Sequence, residues 1–392
     1  MIRVAWSVPN TPGWIGGLNY FVNLGMALMQ LPSRRIQPVL LGSAAGLPEP
    51  LAGFPTVPHP APGPGVLGRL TARLWRELDA RLLHDGHYVA HQLRRQGIRL
   101  LSHDAVLGRR SPVPAACWLP DFQHHHLPHL FTPEDLRTRL ATEAAVAAHA
   151  QAIIFSSEDA RQDYLQHHPH TAPKTHVLRF VAHAPPAETL PDAAGVLARY
   201  DIREPFFHVP NQLWTHKNHA VVAEALTLLA GEGRGAPLVV STGSVQDYRN
   251  PEFFPALKAR LQAAGLAERF RFLGLIPYPE VAVLMREAVA LINPSLFEGW
   301  STTVEEAKSL GKRLLLSNLT VHREQAPDRG VFFDPHAPAE LAALMRQTLE
   351  AYSPQEEARA QQAAAAALPE RMRQYALTYE DIVLRVTAAH PC

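Results

Sequence analysis

The chain has 392 residues, 47% hydrophobic and 19% charged, enough for two or three domains and ordinary for a folded globular protein. Its formal net charge of +1 gives no electrostatic case for nucleic acid, and its two cysteines, Cys117 and Cys392, argue against a disulfide framework. No apolar run approaches membrane-spanning length and the start lacks the pattern of a signal peptide, so a cytoplasmic location is expected, with peripheral attachment to the inner face of the membrane as the alternative.

Strand-like and helix-like runs alternate throughout, which predicts a parallel α/β architecture. Residues 2–8 read as a strand and residues 19–31 as a helix, with Gly13, Trp14, Ile15, Gly16, Gly17 and Leu18 in the loop between. The Gly16-Gly17 pair permits close backbone approach and unusual backbone angles, without the glycine spacing of a dinucleotide fingerprint. Residues 37–41 read as a strand, 55–64 as a Pro-rich loop and 67–95 as one long helix or two. The arginines there, among them Arg69, Arg76, Arg81 and Arg94, read as solvated faces rather than a patch for anionic lipid. Strands follow at 99–102 and 114–119, the second containing Cys117 as a buried hydrophobe. After it comes Pro120-Asp121-Phe122-Gln123-His124-His125-His126-Leu127-Pro128-His129. The histidines invite a metal reading, but Pro128 argues against one regular helix presenting His125 and His129, and no partner carboxylate is in place; partly exposed loop histidines are preferred. Thr132, Pro133 and Glu134 open a helix, residues 152–155 and 176–180 are the last strands of this half, and Ser156-Ser157-Glu158 reads as a helix cap.

Residues 182–205, rich in Ala and Pro, read as an interdomain linker with a short helix inside. Strands are then predicted at 206–209, 238–241, 270–273, 288–292, 313–316 and 331–333. The first leads into Asn211-Gln212-Leu213-Trp214-Thr215-His216-Lys217-Asn218 and a helix. A phosphate site needs a cation and free amides at such a place. Lys217 fits, whereas a merely solvated lysine would sit against the positive end of the helix. The fourth strand ends in Asn293-Pro294-Ser295-Leu296-Phe297-Glu298-Gly299-Trp300-Ser301, and a helix over 303–310 follows, stopped by Gly311. Glu298 and Glu306 thus bracket a strand-to-helix turn with seven residues between them, where open parallel sheets bind ligands. Thr302 with Glu305 and Thr303 with Glu306 both fit a capping box. Thr302 with Glu305 is the better structural pair, which leaves Glu306 to accept hydrogen bonds from ligand hydroxyls. Beyond Pro354 the chain reads as helical, in two pieces broken near Pro369, and the last piece carries Met372, Tyr375, Ala376, Tyr379 and Val383 at helical spacing.

The Glu298-to-Glu306 element resembles the E-x7-E signature of retaining glycosyltransferases of family 4, the glycosyl transferases group 1. The Lys217 loop is similar to that family's strand-loop-lysine element for the donor diphosphate, with Asn211-Gln212 where the family commonly has Gly-Arg. The resemblance implies an α/β GT-B fold, two Rossmann-like domains facing a cleft: residues 1–183 for the acceptor, a linker at 184–205, residues 206–368 for the donor, and a helix at 369–392 crossing back to the first domain. It implies transfer of a hexosyl-type group from a nucleoside-diphosphate sugar to a hydroxyl acceptor, a glycan, lipid-linked or small molecule, by a front-face mechanism with no metal and no cofactor beyond the co-substrate. Donor contacts are implied for Gly16, Gly17, Gln212, Lys217, Gly274, Leu275, Glu298, Gly299, Trp300, Ser301, Thr302 and Glu306. Thr242-Gly243-Ser244 and Asp247-Tyr248-Arg249 would line or support the base pocket, and Ser317 to Glu324 resemble a further family element, with a structural role as the equal alternative. Asp121 matches the aspartate of the family's His-Asp pair near the sugar, with Pro120 in place of the histidine and His124 as the imidazole from a shifted position; which of Asp121, Gln123 or His124 lies nearest the sugar is left open by the resemblance. A nucleotide-sugar epimerase or a phosphorylase of the same fold is the alternative enzyme; a nucleotide-sugar-binding protein without turnover is the alternative from another class.

Overall fold

A computed structural model describes residues 1–8, 15–59, 86–104, 106–233 and 235–390. The chain divides into two compact units: unit 1 is Met1–Val181 with Glu370–Cys392, and unit 2 is Ala182–Pro369. Gly13, Trp14, Arg69, Arg76, Arg81 and Cys392, with most of the expected 67–95 helix, lie outside the described residues.

Unit 1 contains strands β1 (Ile2–Trp6), β2 (Ile36–Leu41), β3 (Thr56–Val57), β4 (Ile98–Ser102), β5 (Ala115–Leu119), β6 (Ala152–Phe155) and β7 (Thr175–Val177). They form one parallel sheet in the order β3-β2-β1-β4-β5-β6-β7. All four residues of β6 are fully buried, as expected for a parallel strand covered on both faces. Helices α1 (Ile15–Met29), α2 (His87–Arg95), α3 (Gln123–His126), α4 (Pro133–His149) and α5 (Glu158–His167) cover it. Thr132 caps α4 in a reciprocal box with Asp135, and Ser157 caps α5 by accepting from the Ala160 amide.

Helix α1 begins four residues before the expected start, so Gly16 and Gly17 lie in its first turn rather than in a loop. The modest cost of helical glycine, about 1 kcal/mol each, is outweighed by packing of Tyr20, Phe21, Leu24 and Leu28, all at most 1% exposed. An added Cβ at Gly16 would meet nothing within 4 Å, so close backbone approach does not explain that glycine.

Unit 2 contains β8 (Phe206–Val209), β9 (Leu238–Ser241), β10 (Phe270–Phe272), β11 (Ala290–Asn293), β12 (Leu314–Ser317) and β13 (Gly330–Phe333). They form a second parallel sheet, ordered β10-β9-β8-β11-β12-β13. Its helices are α6 (Ala193–Arg199), α7 (His219–Gly231), α8 (Phe253–Ala263), α9 (Tyr278–Glu287), α10 (Thr302–Leu310), α11 (Thr320–Gln325) and α12 (Pro338–Glu350). The expected linker is part of this unit. Asp192 caps α6, Ala184, Val196 and Ile202 are buried, and Arg199 and Tyr200 both bond Glu280 of α9.

The last helix, α13 (Pro354–Ala389), runs unbroken through Pro369, against the sequence expectation of two pieces. Proline removes one backbone donor, and apolar anchoring on the C-terminal side holds the helix together. Met372, Tyr375, Ala376, Tyr379, Ile382, Val383 and Val386 are each at most 5% exposed within unit 1. In that unit the strand order reverses between β1 and β4, and the last residues of both strands meet this helix. Trp6 Nε1 donates to Tyr379 Oη at 2.7 Å, and Tyr379 Oη donates to Ser102 Oγ at 2.9 Å. Next to it, Glu380 accepts from the Arg35 amide at 2.8 Å and from Arg35 Nε at 3.1 Å.

Truncation after Pro369 therefore removes part of the unit 1 core. Burial of each large apolar side chain is worth about 1.5–3 kcal/mol, and several together match the whole stability of an ordinary domain, about 5–15 kcal/mol. The truncated chain is expected to lose the thermal transition of unit 1 and to bind a hydrophobic dye at room temperature. An unchanged unfolding profile in calorimetry would refute this.

Candidate functional site

The strand order of unit 2 reverses between β8 and β11, so the loops that leave these two strands border the crevice where open α/β sheets bind ligands. They are the loops of Lys217 and Glu298. After β8 the chain makes a 3-10 turn, Thr215–Lys217, and enters α7 through Asn218, whose φ of 55° is left-handed. Asparagine tolerates that conformation better than most residues, and Asn218 Nδ2 reaches the carbonyls of Pro294 (3.2 Å) and Pro335 (2.9 Å). Lys217 is thereby fixed directly before the helix. Its Nζ donates to Glu298 Oε1 at 2.7 Å, with side chains 18% and 9% exposed.

Glu298 is held from its own loop as well. Ser295 Oγ lies 2.7 Å from Glu298 Oε1 and 2.8 Å from Asn293 Oδ1. Burial pushes the Glu298 carboxyl up, but the Lys217 ammonium and the hydrogen bonds from Lys217 and Ser295 outweigh it and hold the carboxyl below its ordinary value. The neighbouring His216 stays neutral, because burial lowers it to about 2 with help from Lys217 and Arg249. The cation at the mouth of α7 is therefore Lys217.

A buried polar network joins the two loops. Asn293 Nδ2 donates to Ser301 Oγ at 2.7 Å, Asn211 Nδ2 to Asn293 Oδ1 at 3.3 Å, and Thr303 Oγ1 to Asn211 Oδ1 at 3.1 Å. Ser317 Oγ supports it from β12 by donating to Ser295 O at 2.6 Å, and His322 Nδ1 pairs with Ser317 O at 2.8 Å. Nothing in the sequence singled out Asn293, Ser295 or Thr303 for this work, because they meet only when β8, β11 and α10 are assembled.

The cap of α10 differs from the expectation. Ser301, not Thr302, is the N-cap and accepts from the Val304 amide. Gln325 ties Ser301 down by accepting from its amide at 3.2 Å and donating to its carbonyl at 3.0 Å. Glu305 is 1% exposed and bonded by Lys308 Nζ (3.0 Å) and Gln325 Nε2 (3.1 Å), so it is structural without a capping box. Glu306, one residue on and about 100° around the helix, accepts instead from Tyr278 Oη at 2.9 Å. Desolvation raises its carboxyl to about 7, and the Tyr278 hydrogen bond opposes that rise. Trp300 is 8% exposed, while Gly299 and Thr302 are half-buried.

The adjoining turns also pack against the Lys217 loop. Gly243 has φ of 133°, and a Cβ there would stand 2.8 Å from the Asn211 carbonyl and the Gln212 amide nitrogen, so only glycine fits. Its amide donates to Gly274 O at 2.9 Å, and the Leu213 amide donates to Ser244 O at 2.8 Å. Gln212 is thus placed between the Lys217 turn and the Gly243 turn. Leu275, next to Gly274 in sequence, is 68% exposed, and Tyr248 is 78% exposed, unusual for side chains of that size. Asp247 accepts from the Thr215 amide at 2.8 Å and from the Arg249 amide at 3.0 Å, which braces the Lys217 turn.

The remaining expected residues belong to unit 1. Asp121 Oδ1 accepts from the amide of Gln123, the first residue of α3, at 3.2 Å and lies 3.8 Å from Arg139 Nη1. His124 is not on an exposed loop. It is 4% exposed, with its ring beside Phe122, Phe131 and His125, and its Nε2 2.6 Å from Glu143 Oε1. The carboxylate that sequence did not supply to the histidine run is Glu143 of α4, brought there by helix packing.

Two Rossmann-like parallel-sheet units with a terminal helix completing the first define the GT-B class of α/β fold. Residues 200–367, almost all of them within unit 2, match the family model of the glycosyl transferases group 1. A further match is to the O-antigen chain mannosyltransferase B of Escherichia coli, 30% identical over 168 residues, 42% of this chain and 41% of that protein. The chain thus aligns with less than half of that relative. Across almost the full length, the fold is similar to that of HepE of Anabaena, solved with UDP and glucose (TM-score 0.65, 15% identity, 98% of this chain and 99% of that chain). It is also similar to a glycosyltransferase of Rickettsia africae (TM-score 0.64, 12% identity, 99% and 98%). Among the described residues, no helix is long and apolar enough to cross a membrane.

The raised Glu306 carboxyl fixes the sign of a stability effect. A carboxyl whose folded value lies above its ordinary one stabilises the fold at low pH, and this contribution is lost as pH rises through the folded value. Glu306→Gln keeps an acceptor for Tyr278 and cannot ionise. Its thermal midpoint is expected to match wild type near about pH 4 and to exceed it near about pH 8. A difference that stays constant or reverses across this range in differential scanning fluorimetry would refute the assignment.

Proposed function

We propose that the protein is a retaining glycosyltransferase that moves a hexosyl group from a nucleoside-diphosphate sugar to a hydroxyl of a glycan or lipid-linked acceptor. The observation that carries this reading is the 2.7 Å Lys217–Glu298 pair at the unit 2 switch point, within the residues that match the glycosyl transferases group 1 model. The E. coli relative supports a mannosyl group and a polysaccharide acceptor, and the Anabaena structure supports a uridine nucleotide.

Lys217 binds the donor diphosphate. An ammonium has three donors, so Nζ can keep Glu298 and still reach phosphate oxygens, and amides at the start of α10 add a second source of positive potential. Glu298 accepts hydrogen bonds from the sugar, and Glu306 from a hydroxyl of the donor, best the ribose. In the transfer step the bond between the anomeric carbon and the phosphate oxygen breaks while the acceptor oxygen bonds the same face of that carbon. The acceptor proton passes to the departing phosphate. Lys217 stabilises the charge that grows on the diphosphate, so the step needs no divalent ion. Gln212 is a neutral donor for the same group. Asp121 remains a site residue by the family resemblance alone; His124, buried on Glu143, is given no part in the transfer.

The decisive experiment is transfer from UDP-glucose and from a mannosyl nucleotide to a lipid-linked glycan acceptor, without added Mg²⁺ or Mn²⁺, followed by NMR of the first-formed linkage. Release of nucleoside diphosphate coupled to a linkage of the donor's own anomeric configuration is expected. An inverted anomer, or a strict need for added Mg²⁺ or Mn²⁺, would overturn the mechanism.

Loss of one preorganised electrostatic contact costs about 2.7–4 kcal/mol at the transition state. Lys217→Ala should lower kcat/KM by about 10²–10³, and a rate within a few-fold of wild type would remove Lys217 from the step.

Glu298→Gln separates binding from chemistry. It removes the negative charge beside Lys217, so the donor KM should not rise, while kcat falls because an amide offers one acceptor where the carboxylate offers two. A raised KM with unchanged kcat would count against a positioning role for Glu298.

A further inference from the structure

Three histidines in sequence leave β5, and in the folded unit 1 two of them converge on one carboxylate. Glu143 sits in the second half of α4 with 5% of its side chain exposed. His124 Nε2 lies 2.6 Å from its Oε1, and His125 Nε2 lies 3.2 Å from Oε1 and 3.1 Å from Oε2. His168 Nε2, just beyond α5, is 3.9 Å from Oε2. His167 stacks on His125 with ring centroids 4.5 Å apart, which fixes the outer ring.

His124 Nε2 is buried 2.6 Å from Glu143 Oε1, and no partner of His124 Nδ1 is found among the described residues. The packing of α4 on the histidine run thus brings ligand atoms of three side chains to one place. One donor atom from each of His124, His125 and Glu143 lies within 4.8 Å of the other two. Around a tetrahedral zinc with bonds of about 2.0–2.2 Å, donors stand roughly 3.3–3.5 Å apart, so small rotations of the side chains complete the set.

We propose that His124, His125 and Glu143 bind a divalent transition-metal ion of the zinc class, with His168 or a water as the fourth ligand. Two imidazoles and one carboxylate favour zinc over magnesium or calcium, which take oxygen ligands. The ion is structural. It cross-links the β5-to-α4 segment to α4 itself and so fixes the turn that carries Asp121. The inference stands apart from the transfer chemistry, which is assigned to unit 2.

The test uses the untagged full chain, stripped of metal with a chelator and titrated with Zn²⁺ alone in a calorimeter. One tight equivalent and a higher thermal midpoint are expected, and Co²⁺ in place of Zn²⁺ should give the intense visible bands of a four-coordinate site. His125→Ala and Glu143→Gln should each weaken binding by well over about tenfold, the loss typical of removing a mere supporting group; the exposed His129→Ala should leave it unchanged. Should Glu143→Gln not fold, His125→Ala carries the comparison, and the wild-type cobalt spectrum needs no variant. Absence of tight binding, a pale six-coordinate cobalt spectrum, or binding that survives His125→Ala would overturn the site and leave a proton as the partner of Glu143.

Discussion

A lysine ammonium and a glutamate carboxylate, both largely buried and 2.7 Å apart, close the switch point of unit 2. Neither charge is tolerable there alone. Lys217 stands at the positive end of α7, and Glu298 would be desolvated without a cation. Paired, they hold a lysine ammonium fixed at the ends of β8 and β11. The arrangement is preorganised, because the lysine is held by its backbone turn and its counter-charge before any ligand arrives.

The surrounding residues serve that fixation. Asn218 supplies the left-handed step that ends the turn, Gly243 lets the neighbouring turn approach to backbone contact, and Asn211, Asn293, Ser295 and Thr303 lock the β8 loop to the start of α10. Helix geometry then separates two adjacent carboxylates. Glu305 turns inward to Lys308 and Gln325, and Glu306 turns to Tyr278. Two consecutive glutamates thus find different partners on different faces of one helix.

Unit 1 uses its own switch point differently. Trp6 and Ser102, at the ends of β1 and β4, are satisfied by Tyr379 of the terminal helix, so the last segment of the chain completes the core begun by the first. A strand order that reverses creates a crevice in both units, and whether it remains a site depends on what later segments place there. The His124–His125–Glu143 cluster lies away from that position, on the connection that follows β5.

Much of this was legible in the sequence, and for a local reason. Period-2 and unbroken apolar runs marked the strands, so that β6, β8 and β9 begin and end where the pattern does. The apolar stripe of residues 372–383 marked the face that docks, and the strand-to-helix turns singled out Lys217, Glu298 and Glu306. What stayed hidden depends on residues distant in sequence. The linker belongs to unit 2 because α6 meets α9, α13 continues through Pro369 because its far end is anchored, and the early start of α1 follows from packing on the sheet. The same holds for Gln325 at the cap of α10 and Glu143 beneath the histidines. Short-range pattern determined which elements form and which loops carry charge; only tertiary structure decided which partner each buried polar group found, because a buried charge or hydrogen-bonding group is satisfied by whatever the packed elements bring within about 3 Å of it, at any separation along the chain.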